Sequence, residues 1–170
     1  MSGETMDNLV WKDLWYTAQT VKVYELCCTR YSNKMKRRNR IYEWIIIALP
    51  LIGAALYKLN PLFTLIASIL TGLEAILEKF KPFLTQSEKE LSELRVLQGK
   101  FAEILSDIED GILSFRVDSA TDSDLKTLLT KKKKQISKLS PLLDSIVRKV
   151  PDNEHLNDEA LNYLNSKYNV

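Results

Sequence analysis

The sequence predicts an all-α fold in which a two-helix transmembrane hairpin is joined to long cytoplasmic helices that form an oligomeric helical bundle. Two apolar runs lie within residues 41–77, separated by a break that contains Asn60 and Pro61. After residue 87, apolar side chains recur at steps of three and four, the spacing of one helix face. Only 5 of the 170 residues are glycine. We therefore divide the chain into an N-terminal cytoplasmic helix with a basic juxtamembrane segment (1–40), a transmembrane hairpin (41–79) and a cytoplasmic helical bundle (80–170).

The N-terminal segment is predicted to be helical. Residues 9–33 contain few helix breakers and place apolar residues at helical steps, which predicts a cytoplasmic helix continuous with the first membrane helix. Charged residues in the first twenty positions exclude the apolar core of a secretory signal peptide, so the hairpin must serve as its own insertion signal. Cys27 and Cys28 are interpreted as reduced thiols on a helix, with lipidation beside the basic segment as the alternative.

The hairpin has two uncharged runs, residues 44–57 and 62–73. One flanking turn added to each run gives segments of about 17 residues, the lower limit for a membrane-spanning helix. Residues 45–55 are all apolar, glycine or proline, so this helix has no polar face to present to water. The alternative is a pair of buried helices in a soluble bundle, which the remaining chain would have to surround. Asn60 is the predicted N-cap of the second helix, and Pro50 predicts a kink in the first.

Basic residues flank the hairpin asymmetrically, with one cluster before the first run, Lys79 and Lys81 after the second, and only Lys58 between them. By the positive-inside rule, both termini lie in the cytoplasm and the tip faces outward. The first cluster is predicted to bind anionic lipid or, alternatively, a phosphate-rich ligand. A later run of four lysines is interpreted as a solvated face, with a polyanion or nucleotide site as the alternative. The two basic clusters are Lys34, Lys36, Arg37, Arg38 and Arg40, and Lys131, Lys132, Lys133 and Lys134.

Small and polar side chains share one face of the second membrane helix, because they recur at steps of three and four. Two interpretations compete: close packing against a neighbouring helix through hydroxyl hydrogen bonds, or the wet lining of a pore built by several copies. The carboxylates favour the pore, since a charge at membrane depth is costly unless it faces water or a partner. In a symmetric oligomer, rings of Glu74 or Glu78 would favour cations. The predicted pore-lining residues are Thr64, Ser68, Thr71, Glu74, Ala75 and Glu78.

A bend is predicted at residues 81–82, followed by a long helix over residues 87–115. The apolar face of that helix predicts a coiled-coil or bundle seam, in which Gln98 is the one polar residue and would set register or oligomer number. Such a seam needs a partner, either the later helices of the same chain or other subunits, with a tetramer favoured. The predicted oligomerisation seam consists of Leu91, Leu94, Gln98, Phe101, Leu105, Ile108, Ile112 and Phe115.

The C-terminal part is predicted to be helical as well. Residues 117–122 form a predicted loop, and Thr121 with Asp124 matches a capping box for the next helix. Lys132 falls on the apolar face of that helix, so its side chain either snorkels or points at a negative group.

A further helix is predicted to restart at residues 140–141 and to run through residue 150. A short amphipathic helix over residues 156–168 is predicted to cap the bundle. Its apolar face is assigned to Leu161, Leu164 and Tyr168. The only histidine, His155, lies in a polar turn, and no phosphate loop, nucleophile elbow or metal-ligand spacing occurs. We expect no enzyme activity, cofactor or metal.

In layout the chain resembles the SLATT family, the SMODS- and SLOG-associating two-transmembrane effectors of bacterial conflict systems. The resemblance covers most of residues 9–115 and rests on Trp15 and Tyr16 in an aromatic N-terminal helix, the basic entry at residues 37–40, the tight hairpin and the long helices after it. The helices from Leu125 onward lie outside it. The resemblance implies a pore-forming effector of the bacterial inner membrane that acts in antiphage defence when a partner nucleotidyltransferase supplies a nucleotide signal. It supplies no catalytic residues.

Two functions are weighed. The first is an oligomeric ion channel of the bacterial inner membrane, in which the second membrane helix lines the pore and the cytoplasmic helices join the subunits and sense a nucleotide or oligonucleotide second messenger. The second is a non-conducting, membrane-anchored helical adaptor that recruits a soluble partner. The expected partners of a channel are membrane lipid, further copies of the chain and the nucleotide signal.

Overall fold

The computed structural model describes residues 3–59, 63–117, 120–147 and 153–168. No strand occurs within these ranges, so the all-α prediction is confirmed for them. They form two compact units, which we call the bundle unit (Met1–Tyr31 with Ser92–Val170) and the hairpin unit (Ser32–Leu91). The predicted N-terminal segment is therefore divided between the two units. The helices are α1 (Gly3–Leu59), α2 (Thr64–Leu84), α3 (Glu88–Arg116), α4 (Asp122–Ile146) and α5 (Asn153–Tyr168).

Helix α1 is continuous over 57 residues, which confirms that the N-terminal helix runs directly into the apolar segment. Its buried residues, from Val10 to Gly53, recur mainly at steps of three and four, so one side of the helix packs along its length. The helix passes through Pro50, whose ring removes one backbone hydrogen bond without ending the helix. The predicted N-cap Asn60 lies outside the described residues. The N-cap of α2 is Phe63, which makes no side-chain capping hydrogen bond.

The predictions at two other prolines are wrong. Helix α2 continues through Pro82, and α4 continues through Pro141 to end at Ile146. Pro82 lies two residues before the end of α2, so the hydrogen bond that its missing N–H cannot make is lost only from the last turn. Pro141 is followed by the buried side chains of Leu143 and Ile146, whose packing offsets the lost hydrogen bond. Helix α4 also ends short of the predicted residue 150, and residues 148–152 lie outside the described ranges.

The seam of α3 is buried within the single chain. Leu94, Phe101, Ile108 and Ile112 have no exposed surface, and the Phe101 ring lies 5.2 Å from the ring of Tyr24 on α1. Side chains without exposed surface cannot contact another subunit. The intrachain alternative therefore holds, and the assignment of this seam to an oligomer interface is corrected. The two seam residues that keep partial exposure are Gln98 and Phe115.

Helix α4 begins with the predicted capping box. The Thr121 hydroxyl accepts the Asp124 N–H at 3.3 Å, and the Asp124 carboxylate accepts the Thr121 N–H at 3.0 Å. Hydrogen bonds from Thr121, first from its hydroxyl and then from its backbone, lower the pKa of the Asp124 carboxyl. The two groups therefore satisfy the first orphan donors of the helix.

Helix α5 packs through a row at four-residue steps. Leu156, Ala160, Leu164 and Tyr168 are buried, whereas Leu161 is exposed. The assignment of Leu161 to the apolar face is therefore wrong. The row through the small Ala160 lets the helix approach its neighbours closely, and a neighbouring row holding Leu161 is left outside.

A buried carboxylate holds α5 against α3. Glu109 accepts the Tyr163 hydroxyl at 3.0 Å and the Lys167 ammonium at 2.6 Å. Burial alone would lower the pKa of Lys167, but its hydrogen bonds to Glu109 and Tyr163 outweigh burial and raise that pKa. An ion pair between Arg30 and Glu159 also joins α5 to α1. Helix α5 is thus fastened to two different helices of the bundle unit.

The hydroxyl of Tyr168 is buried without a hydrogen-bond partner, and its ring lies edge-on to Trp15 at 6.0 Å. Burial, reinforced by the nearby Glu109 carboxylate, raises the pKa of Tyr168 to about 12. Because the folded-state pKa is above the ordinary value of about 10, the Tyr168 hydroxyl loses its proton less readily in the folded than in the unfolded protein. The stability of the fold is therefore unaffected by this titration below the ordinary pKa and falls as pH rises from there through the folded value.

We therefore expect Tyr168→Phe to stabilise the protein by about 1 kcal/mol near neutral pH, because it removes an unpaired buried hydroxyl. The variant should also lose less stability than the wild type as pH rises from about 9 to about 11.5. Thermal unfolding of the full chain in detergent, followed by circular dichroism, measures both effects. Tyr16→Phe is the matched control, since Tyr16 is 64% exposed. Equal pH dependence in the wild type and Tyr168→Phe would contradict the expectation.

Candidate functional site: the exposed faces of the helical hairpin

Within the hairpin unit, α1 and α2 run antiparallel and approach closely at Gly53. A Cβ atom on Gly53 would lie 3.7 Å from the backbone oxygen of Ala67. At another point the Tyr42 hydroxyl donates a hydrogen bond to the backbone oxygen of Leu77. Because Gly53 follows Tyr42 while Ala67 precedes Leu77, the two helices run in opposite directions. The small residue at position 53 allows the near contact of the two backbones.

An asparagine clamps the turn that follows α2. The Asn39 amide donates to the backbone oxygen of Gln86 at 2.7 Å, and its side-chain oxygen accepts the Gln86 N–H at 3.1 Å. Gln86 is buried, at 3% exposure. The Asn39 side chain therefore bonds both backbone groups of a buried residue that lies between α2 and α3.

Helix α2 has three faces: one toward α1, one polar and one apolar. The row that faces α1 is half-buried, and a row of small and polar residues, which we call the polar stripe, lies about 100° around the helix from it. Glu74 belongs to the α1-facing row, so it is separated from the other predicted pore-lining residues. The α1-facing row is Ala67, Leu70, Glu74 and Leu77, and the exposed polar stripe is Thr64, Ser68, Thr71, Ala75 and Glu78.

Two hydroxyls of the polar stripe, those of Ser68 and Thr71, bond within their own helix. Ser68 donates to the backbone oxygen of Thr64 at 2.9 Å, and Thr71 donates to that of Ala67 at 3.0 Å. Neither hydroxyl bridges α2 to α1 within one chain. Helix α1 therefore leaves the stripe uncovered, and the neighbour that the sequence predicts for it must be another molecule or water.

The remaining surface of the pair is apolar. One stretch of the described helices, Leu9–Tyr57, contains a window long and apolar enough to cross a membrane, with a mean hydropathy of 1.4 and only 11% of that window buried. Helix α2 does not meet the same criterion, because its second half carries four charged residues. It nevertheless has no buried residue, and Leu65 is 72% exposed. Large apolar side chains thus cover both helices on the sides that face away from each other.

The four-lysine run does not form one basic patch. Lys132 is buried and forms an ion pair with Asp107 of α3, which confirms the alternative that it points at a negative group. Lys133 pairs with Asp13 of α1 at 2.6 Å. Among the described residues, no ion pair involves Lys131 or Lys134. Half of this predicted ligand cluster is therefore used to hold α4 against its neighbours.

A groove of about 260 Å³ lies between α3 and α4. It is a concave surface of the bundle unit with several ammonium groups, an amide and apolar walls. The lining residues are Lys100, Glu103, Ile104, Lys132, Gln135, Lys138 and Leu139.

The two cysteines lie inside the bundle unit. Burial, with a smaller effect of Asp144, raises the pKa of the Cys27 thiol, and burial together with Cys27 raises that of Cys28 to about 12. Neutral, buried thiols are poor nucleophiles, which favours the interpretation as reduced thiols over lipidation. His155 is exposed, and among the described residues no three His, Cys, Asp or Glu side chains are grouped to hold a metal ion.

Sequence reasoning missed two polar contacts. Asn39 stands inside a basic run, and its partner Gln86 is 47 residues away, so nothing local distinguishes it. Glu109 is adjacent to the buried Ile108 along α3, which is the only signal that its carboxylate lies near the core. Comparisons with protein-family models, curated proteins and solved structures find no match to the chain.

Proposed function

We propose that the chain is a membrane effector in which the α1–α2 hairpin crosses the bilayer twice and several copies place their polar stripes around a water-filled pore. The observation that carries this proposal is the exposed polar stripe, which α1 leaves uncovered between apolar surfaces. In lipid, such a stripe is best accommodated by a neighbouring copy or by water. The 21 residues of α2 rise about 31 Å, close to the thickness of the hydrocarbon core.

In this proposal the membrane is the bacterial inner membrane and both termini are cytoplasmic. The basic residues at the start of the apolar part of α1 and at the end of α2 support this orientation by the positive-inside rule. The layout resemblance to SLATT effectors supports a role in antiphage defence and gating by a nucleotide or oligonucleotide. The groove that contains Lys100 and Lys138 supports ligand sensing in the bundle unit, whereas its third ammonium group, Lys132, is already paired with Asp107.

The pore is tested by replacing the polar stripe. We expect Ser68→Leu with Thr71→Leu to lower the current of the purified full chain in planar bilayers by about tenfold or more, because it makes the stripe apolar. Glu78→Gln should reduce the preference for cations. The matched control is Ile66→Leu with Ile69→Leu, two conservative changes on the exposed apolar face. Unchanged current in the double leucine variant, from protein shown to be inserted, would contradict the pore.

A second candidate is a non-conducting adaptor, which is favoured by the internally satisfied hydroxyls of Ser68 and Thr71. Such a stripe needs no water to complete its hydrogen bonds. Replacing residues 41–84 by an unrelated two-helix anchor distinguishes the candidates. An adaptor keeps its cellular activity after this exchange, whereas a channel loses it.

A further inference from the structure

The first basic cluster spreads over slightly more than half of the circumference of α1. All five of its residues lie in continuous α-helix, and each residue turns the side chain by about 100° from the previous one. Positions 34 and 38 project about 40° apart, as do positions 36 and 40, while the five positions together cover an arc of about 200°. Four of the five are exposed and Lys36 is half-buried. Cations at the two ends of this arc cannot contact the same compact ligand.

Helix α2 adds two cations at the same level of the hairpin. Lys79 and Lys81 lie between Leu77, which accepts the Tyr42 hydroxyl, and Gln86, which Asn39 clamps. These contacts place the end of α2 beside residues 39–42 of α1. Both lysines are exposed. The sequence separates the two groups by about forty residues, and only the antiparallel pairing brings them to one end of the hairpin.

These cations form no ion pair with the part of the chain that the structure describes. Among the described residues, Arg30, Lys132, Lys133 and Lys167 form ion pairs across the bundle unit, but no ion pair involves the basic residues of α1 from 34 to 40 or the two lysines of α2. Exposed aromatic side chains accompany them, with Trp44 at 67% and Phe83 at 72% exposure. Unpaired cations beside aromatic rings at the edge of an apolar helix pair match the headgroup region of a membrane.

We propose that these seven side chains, which we call the basic collar, bind the headgroup phosphates of several anionic phospholipids at once around the hairpin. This proposal rests on the proposed insertion of the hairpin into a membrane, and it adds the class of lipid that the hairpin binds. Guanidinium groups engage a phosphodiester through two N–H donors, while lysines act as point charges. The wide arc suits separate headgroups along the exposed side of the hairpin. It argues against the single phosphate-rich ligand that the sequence left open for Lys34 to Arg40.

The collar is tested on the full chain in detergent by native mass spectrometry with added phosphatidylglycerol or phosphatidylcholine. We expect several phosphatidylglycerol molecules to bind, in clear preference to phosphatidylcholine. Lys79→Gln with Lys81→Gln should weaken phosphatidylglycerol binding roughly fivefold for each charge, which corresponds to about 1 kcal/mol per basic residue. Lys12→Gln with Lys126→Gln, two exposed lysines of the bundle unit outside both basic clusters, is the control with the same charge change and should bind as the wild type does.

The collar would be overturned by equal retention of both lipids, by unchanged binding in the Lys79→Gln, Lys81→Gln variant, or by equal loss in the Lys12→Gln, Lys126→Gln control. Glycerol 3-phosphate, added as a soluble phosphate, should not displace the lipid, and displacement would assign the cations to a free ligand. The collar and the pore fail separately. Silent bilayers from inserted, phosphatidylglycerol-binding protein would contradict the pore alone, while current from protein without lipid preference would contradict the collar alone.

Discussion

Replacing Gly53 by isoleucine is expected to destabilise the pairing of α1 and α2 by about 1–3 kcal/mol, the usual cost of overpacking a close contact. A Cβ at this position would meet the Ala67 backbone oxygen and Cα atom at 3.7 and 3.9 Å, which is ordinary contact. Gly53→Ala should therefore be tolerated. The further carbons of isoleucine would meet backbone atoms, which cannot rotate aside as a side chain does, so the helices must separate.

Gly72 provides a matched control for this experiment. A Cβ on Gly72 would meet nothing within 4 Å, and Gly72→Ile makes the same gain in helix propensity. The free energy of unfolding is measured by SDS titration of the detergent-solubilised chain. We expect a lower midpoint for Gly53→Ile alone. Equal midpoints for the two isoleucine variants would show that Gly53 is not a point of close helix approach.

Replacing Asp107 and replacing Lys132, which form an ion pair, are expected to change the stability of the bundle unit by unequal amounts. Lys132 has 7% of its side chain exposed and Asp107 has 44%. Asp107→Asn leaves a buried ammonium without its counter-charge, so it should destabilise the bundle unit by about 1–2 kcal/mol. This is less than the 3–5 kcal/mol of a fully buried pair, because the exposed carboxylate is partly screened by water.

Lys132→Met should be nearly neutral or slightly stabilising, because it places an apolar chain of similar length among Leu125 and Leu129, which are buried on the same helix face. The Asp107 carboxylate is then left largely in water. The double variant Asp107→Asn with Lys132→Met should resemble Lys132→Met alone, which would show that the two residues act as one pair.

Thermal unfolding by circular dichroism measures this series in detergent. Asp110→Asn, at an exposed position of α3, controls for the loss of a negative charge from the same helix. Equal losses of stability in Lys132→Met and Asp107→Asn would contradict the expectation. They would show that the ion pair contributes net stability, and that burial of the Lys132 ammonium carries no large desolvation cost.

Features that depend on neighbouring residues were predictable from the sequence. The helical steps of α3 and the capping box at Thr121 and Asp124 are both present as expected. The same holds for the continuity of α1 into its apolar segment. Each of these depends on residues a few positions apart, so a spacing rule is enough to find it.

Two kinds of feature were predicted less well: the effect of a proline on its helix, and the choice between two neighbouring rows of residues on one helix. Pro82 and Pro141 do not end their helices. Whether a helix continues past a proline depends on where the proline lies in the helix and on whether packing of the next turn offsets the lost hydrogen bond. On α5, the rows through Ala160 and Leu161 are both acceptable by periodicity. Only contact with the neighbouring helices buries the first and exposes the second.

The sequence by itself determined the helical class, the apolar character of α1 over its second half and the polar stripe of α2, because periodicity and hydropathy are local properties of the chain. Only the tertiary structure decided which charges are used within the protein and which remain free. It paired Lys132 and Lys133 with carboxylates, buried the α3 seam within one chain and left the polar stripe uncovered. The physical reason is that an ion pair or a buried row needs a partner from a distant part of the chain, and sequence spacing carries no information about which distant residues meet.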